Sequence, residues 1–179
     1  MKSPRLWIAG GALLVAGALA VSCRQRPPGG GAEDGELAKP AAEFSFPDLE
    51  GKPFKLSSLR GKTVLLDFWA TWCGPCIEDI HGLETLQQTY KDRGFTVLGI
   101  SIDDASRKEV AAFAKDKKIN YPIVVTGGQD KIPDGYEVFG LPTAYLIDAE
   151  GVVRQKYYGP KDEALVSKDI EKILGHAKS

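Results

Sequence analysis

Residues 63–69, Thr-Val-Leu-Leu-Asp-Phe-Trp, form a nearly unbroken apolar run. A run of this length, rich in branched and aromatic side chains, suits a strand buried on both faces of a parallel or mixed sheet. The period then changes from two to 3.6. Ile77, Ile80, Leu83, Leu86 and Tyr90 share one face of a helix expected over residues 73–93, and Gly94 supplies its C-terminal cap. Residues 95–103 read as a second buried strand. Ser106-x-x-Glu109 has the spacing of a capping box and opens a helix to about residue 118. A short strand over 121–125, a loop over 127–135 and a hairpin of strands 144–148 and 152–158 across Ala149-Glu150-Gly151 follow. A last helix over residues 163–174 offers Leu165, Ile170, Ile173 and Leu174 to the core. Upstream, Phe44-Ser45-Phe46 alternates, residues 48–52 read as a turn, and Pro53-Phe54-Lys55 resumes the strand. Strands alternating with helices early and a hairpin late predict an α/β domain around a mixed sheet.

The beginning of the chain follows different rules. Lys2 and Arg5 precede residues 6–21, which carry no charge and end in small residues. That run is short for a membrane span and has the layout of a secretory signal. Three endings fit it. Ala20-Val21-Ser22-Cys23 resembles a lipobox, in which Cys23 is acylated and becomes the first mature residue, although Ala20 stands where such boxes usually carry Leu. Ala18-Leu19-Ala20 offers a simple cleavage site, and an uncleaved anchor is the third ending. The lipoprotein ending is preferred, with residues 1–22 as signal peptide, 23–40 as tether and 41–179 as the folded domain. Around Pro27-Pro28-Gly29-Gly30-Gly31 the tether has almost nothing apolar to bury, and as a random coil it would reach ~20–25 Å.

Composition narrows the classes further. The chain has 179 residues, a formal net charge of −1 and no basic block, so a nucleic-acid partner has no electrostatic support. Three cysteines are too few for a disulfide-stapled scaffold. Two of them, Cys73 and Cys76, lie three apart at the predicted start of a helix. There, unpaired N–H groups and the helix dipole favour the thiolate of Cys73, the nucleophile of thiol–disulfide exchange. Cys76, one turn deeper, is placed to resolve a mixed disulfide. Pro75 loses no needed hydrogen bond so early in a helix, and Trp72 shields one side. The same spacing also serves half of a zinc site, but Cys23, His81 and His176 provide no second ligand pair, so no metal is expected. As a purely structural disulfide, so short a loop would constrain little of the unfolded chain.

Leu66-Asp67-Phe68-Trp69-Ala70-Thr71-Trp72-Cys73-Gly74-Pro75-Cys76 resembles the active-site strand and helix start of thioredoxin, and Phe139-Gly140-Leu141-Pro142-Thr143 resembles that family's cis-proline loop. The hairpin region over residues 48–60 and the extra helix and strand between residues 102 and 125 are similar to the TlpA/ResA-like branch of the redoxins. The resemblance implies a thioredoxin-like three-layer α/β fold with a mixed central sheet flanked by helices, an N-terminal β-hairpin and a βα insertion before the cis-proline loop. It implies a redox-active Cys73–Cys76 disulfide, no cofactor, and substrate contacts from Trp72, Gly74, Pro75, Leu141 and Pro142. Without it, Pro142 would read as an ordinary strand-start proline; with it, the Leu141–Pro142 bond is expected cis.

Asp67 lies inside the apolar run. Buried there, its ionised form would be costly and its pKa raised; the competing reading is a solvated strand edge. The resemblance assigns it the role of taking the Cys76 proton. The branch often has Asn at that position, so here the sequence leans toward thioredoxin. Asp79 shares a helix face with Cys76 and stands where the branch usually carries a longer Glu that tunes the pair. His81 replaces a helix-kinking proline.

Three functions compete: an exported disulfide reductase, a peroxidase of the peroxiredoxin type, and a non-enzymatic thiol or metal carrier. The peroxidase pattern Pro-x-x-x-Thr-x-x-Cys is broken, because Leu66 and Ala70 occupy the Pro and Thr positions before Cys73. Gly-Pro between the cysteines resembles thioredoxin, whose potential is about −270 mV, against about −120 mV for the oxidant DsbA. A reductant in the bacterial cell envelope is therefore expected, acting on disulfide-bearing proteins. The branch also implies a role in cytochrome c maturation, a transmembrane thiol donor of electrons, and the membrane as partner through the lipid at Cys23.

Overall fold

The computed structural model describes residues 37–176; the signal segment, Cys23 and most of the tether lie outside them. Two small strands, β1 (Ser45–Pro47) and β2 (Pro53–Lys55), form the expected antiparallel hairpin. The main sheet contains β3 (Thr63–Trp69), β4 (Phe95–Ser101), β5 (Ile123–Val125), β6 (Thr143–Ile147) and β7 (Val153–Tyr158), in the spatial order β5-β4-β3-β6-β7. β3 runs parallel to β4 and antiparallel to β6, so the sheet is mixed and β3 is its centre. All seven residues of β3 and all seven of β4 are buried, which accounts for their largely apolar sequences.

Three helices accompany the sheet: α1 (Gly74–Tyr90), α2 (Arg107–Asp116) and α3 (Glu163–His176). α1 follows the predicted face at Ile80, Leu83, Leu86 and Tyr90, which are buried; Cys76 joins them, whereas Ile77 is only half-buried. A 3-10 turn continues it to Gly94, whose φ of 81° is the left-handed conformation glycine adopts without a Cβ clash. α2 opens on the predicted capping box, Ser106 and Glu109 satisfying each other's backbone. α1 and α3 are tied together by Tyr90 Oη and Ser167 Oγ at 2.6 Å and by a two-pronged Arg93–Glu171 pair at 2.6 and 2.7 Å.

The structure corrects the expected inner face of the last helix at one position. Ile170 is fully buried, Leu174 nearly so, and Ile173 packs against the core, but Leu165 is half exposed and Val166 is buried in its place. Val166 lies four residues before Ile170 and eight before Leu174, on their face of the helix, and Leu165 does not. Asp162 Oδ1 caps the helix, accepting the backbone N–H groups of Ala164 (2.9 Å) and Leu165 (3.3 Å). The ordered approach to the fold also begins earlier than residue 41. Ala41 N–H donates to Gly151 O and Val153 N–H to Lys39 O, both at 2.9 Å, so residues 39–41 lie along the start of β7.

Candidate active site

Sheet register brings two loops to one end of the molecule. Phe68 pairs with Thr143, so the C-terminal end of β3 lies beside the start of β6. The CxxC segment leaves the first and the Leu141–Pro142 segment enters the second. The Leu141–Pro142 bond is cis, as the resemblance implied. Thr143 Oγ1 donates to Gly140 O (2.7 Å) and Gly159 N–H to Pro142 O (2.9 Å), which fixes the loop.

Cys73 is the N-cap of α1, and its Sγ accepts the Cys76 N–H at 3.3 Å. The two sulfurs form a disulfide, with Cα atoms 5.3 Å apart. Both cysteines are buried, whereas Gly74 and Pro75 are exposed and Trp72 is 59% exposed. Trp72, Gly74 and Pro75 are therefore the parts of the motif most open to solvent.

Asp103, which the sequence reading missed, holds the loop before Cys73. It is fully buried at the exit of β4 and accepts three hydrogen bonds: from Thr71 N–H at 3.0 Å, Thr71 Oγ1 at 2.5 Å and Ser101 Oγ at 2.7 Å. An acid at the end of a buried strand was the only signal for it.

Asp67 is 2% exposed on the central strand, so the solvated-edge reading is excluded. It is not alone. Lys161 Nζ lies 2.8 Å from Asp67 Oδ1 and 2.8 Å from Asp79 Oδ2, and the Lys161 N–H donates to Asp79 Oδ1 at 3.2 Å. Asp67 Oδ1 makes no aligned hydrogen bond, so its contact with the ammonium is an ion pair. The three side chains are almost wholly buried. Burial pushes the Asp67 carboxyl up, and the Lys161 charge offsets only part of that push. The Lys161 ammonium is disfavoured by burial, yet Asp67 and Asp79 together hold its pKa above the ordinary value.

The triad also locates Asp67 relative to the cysteines. Asp79 stands one turn after Cys76 on the same face of α1, and Lys161 links it to β3 below. Lys161 was missed because it lies far off in sequence, in the connection between β7 and α3. One clue was present: a lysine just before a helix N-terminus runs against the helix dipole and is better explained by another partner.

The chain matches the AhpC/TSA family over residues 37–156. The protein belongs to that family. It is 35% identical over 140 residues to the thiol-disulfide oxidoreductase ResA of Bacillus cereus (strain ZK / E33L), covering 77% of this chain and 79% of that one. It is 35% identical over 136 residues to the thioredoxin-like protein YneN of Bacillus subtilis (strain 168), covering 75% and 76%. Among solved structures it is similar to a putative thiol:disulfide interchange protein DsbE from Chlorobium tepidum, with a TM-score of 0.71 and 30% identity over 77% of this chain and 97% of that one. The fold is thioredoxin-like, and the protein is a thiol–disulfide oxidoreductase. Among the described residues no group of three or more His, Cys, Asp or Glu side chains is placed to hold a metal, and no helix is long and apolar enough to cross a membrane.

Proposed function

We propose that the protein is an exported, membrane-tethered reductant of protein disulfides that works through Cys73 and Cys76. The observation that carries this reading is the pair itself: Cys73 caps a helix that follows β3, beside the strand the cis-proline loop enters, and Cys76 sits one turn before Asp79, a member of the Asp67–Lys161–Asp79 cluster. In the reduced protein the helix start favours the Cys73 thiolate. That thiolate attacks one sulfur of a client disulfide; a mixed disulfide forms, and the other client sulfur leaves as a thiolate. The Cys76 thiol gives its proton to the Asp67 carboxylate, and Cys76 Sγ attacks Cys73 Sγ. The client's second sulfur leaves as a thiolate, and the Cys73–Cys76 disulfide closes. Trp72, Gly74, Pro75, Leu141 and Pro142 frame the client segment, and Asp79 acts by positioning Lys161.

The compartment is the extracytoplasmic side of a bacterial envelope, with Cys23 lipidated. Two electrons per turnover come from a transmembrane thiol donor, and the process the family resemblance favours is cytochrome c maturation. The deciding experiment is a pair of variants. Cys73→Ser should abolish reduction of insulin disulfides. Cys76→Ser should accumulate client proteins on Cys73 that only an added thiol releases. Equal iodoacetamide alkylation of Cys73 and Cys76 in the reduced protein would overturn the assignment of the nucleophile.

A further inference from the structure

Four large apolar side chains stand exposed among the described residues, and three of them belong to the CxxC segment or adjoin the cis-proline loop in the chain or the sheet: Trp72 at 59%, Phe139 at 84% and Tyr158 at 58%. Phe139 is two residues before Leu141, and Tyr158 pairs across the sheet with Thr143, next to the cis proline. Leaving a phenylalanine in water forgoes the stabilisation of burying it. Gly140 beside Phe139 has open space where a Cβ would be, so the loop surface there is uncovered.

The two rings share a mount. Lys156 Nζ lies 4.6 Å from the Tyr158 ring centre, 5.0 Å from that of Tyr145 and 5.8 Å from that of Phe139, within cation–π range of all three. The Lys156 side chain is 7% exposed and its ammonium pairs with Glu137 Oε2 at 3.0 Å. Tyr145 Oη accepts the Glu137 N–H (2.9 Å) and donates to Glu137 O (3.1 Å), which fixes the segment leading to Phe139. The lysine charge is therefore covered and already balanced. What the site presents outward is the surface of two aromatic rings, held from beneath and continuous with the cis-proline loop.

We propose that Phe139 and Tyr158, seated on Lys156, form a docking platform for an aromatic or large aliphatic side chain of the client polypeptide, within two or three residues of its reactive cysteine. This rests on the reading of the protein as a reductant of protein disulfides and names its preferred client: an extended segment with such a residue close to the disulfide. Rings already held in place lose little freedom on binding, so the contact favours affinity and orientation together. A charged client residue gains nothing there, because the one buried cation has its partner.

The test uses the full-length reduced protein and two synthetic peptides with one disulfide each, identical except for Phe or Ala two residues from the cysteine. Each kcat/KM is divided by the same protein's rate on hydroxyethyl disulfide, which is too small to reach the platform. The wild type should prefer the Phe peptide by about tenfold, a factor equivalent to roughly 1.4 kcal/mol, within reach of an aromatic contact plus the area it buries. Phe139→Ser/Tyr158→Ser should bring the ratio to within about twofold of one. Lys156→Met, which keeps both rings and removes their mount, should lower it part-way. Equal rates on the two peptides in the wild type, or a preference that survives the double substitution, would overturn the proposal. So would self-association at assay concentration that the double substitution abolishes, since a second copy would then be the occupant. Failure to reduce hydroxyethyl disulfide at all would instead remove the reductase reading beneath it.

Discussion

Asp67 is buried at an electrostatic cost. Its folded pKa lies above the ordinary carboxylate value because burial outweighs the Lys161 charge. The unfolded chain therefore releases this proton first as pH rises. Stability that the neutral acid contributes is present below the unfolded pKa and is lost as pH climbs through the folded one. Asp67→Asn should accordingly stabilise the domain at pH 8, where the wild type must bury an ionised group, and should slow disulfide exchange by tenfold or more for want of a proton acceptor. Denaturant unfolding and exchange rates measured side by side check both. A variant less stable than wild type yet equally fast would reduce Asp67 to a structural residue. Lys161 has the opposite role. Lys161→Met leaves two buried carboxyls without their cation and should cost ~3–5 kcal/mol near neutral pH. That loss should shrink as acid protonates them, and the acidic limb of the exchange profile should move to higher pH, because Asp67 then holds its proton more tightly. The stability Lys161 itself contributes is present below its unfolded value of 10.5 and is lost only as pH rises through the higher folded one.

At the scale of elements, β3 and β4 set the geometry of the site. Asp67 pairs with Gly99, which has no side chain to fill the space beside the carboxyl. A Cβ at Gly99 would stand 2.9 Å from Trp69 Nε1 and 3.4 Å from Tyr121 Cε2. Gly99→Ala should therefore destabilise by about 1–3 kcal/mol, the usual cost of overpacking, and should disturb exchange by shifting β3. Thermal unfolding with activity measured on the same samples would show both effects. Asp103 acts between elements as well: fixed at the end of β4, it holds Thr71 and so sets where α1 begins. Asp103→Ala should lower the exchange rate while leaving the helix content seen by circular dichroism unchanged.

For the molecule as a whole, the redox face lies at one end of the sheet, and residues 39–41, through which the preceding chain enters, lie along the start of β7. If Cys23 bears the lipid, Cys23→Ser should release the protein from membranes while its rate on insulin stays within twofold of wild type. Palmitate labelling that leaves the wild type unmarked would remove the lipid anchor. Protection of the CxxC domain from protease in spheroplasts would remove export.

The sequence by itself determined the elements whose cause is local or periodic. The apolar runs of β3 and β4 reflect burial on both faces, the Ser106–Glu109 box opens α2, Gly94 closes α1, and Cys-Gly-Pro-Cys marks a helix start able to favour a thiolate. Resemblance to thioredoxin, rather than periodicity, pointed to the cis bond at Pro142. Only the tertiary structure decided the rest. Leu165 faces out because Val166, not Leu165, shares the buried face of Ile170 and Leu174, a choice of about one residue that a short apolar pattern leaves open. Lys161, 94 positions after Asp67, becomes its counter-ion because sheet order and the packing of α3 on α1 bring the two together. Side chains that meet through sheet register and helix packing carry no signature in sequence spacing. For that reason the Cys73–Cys76 pair could be read from the chain, and the buried charges of Lys161 and Asp79 beside Asp67 could not.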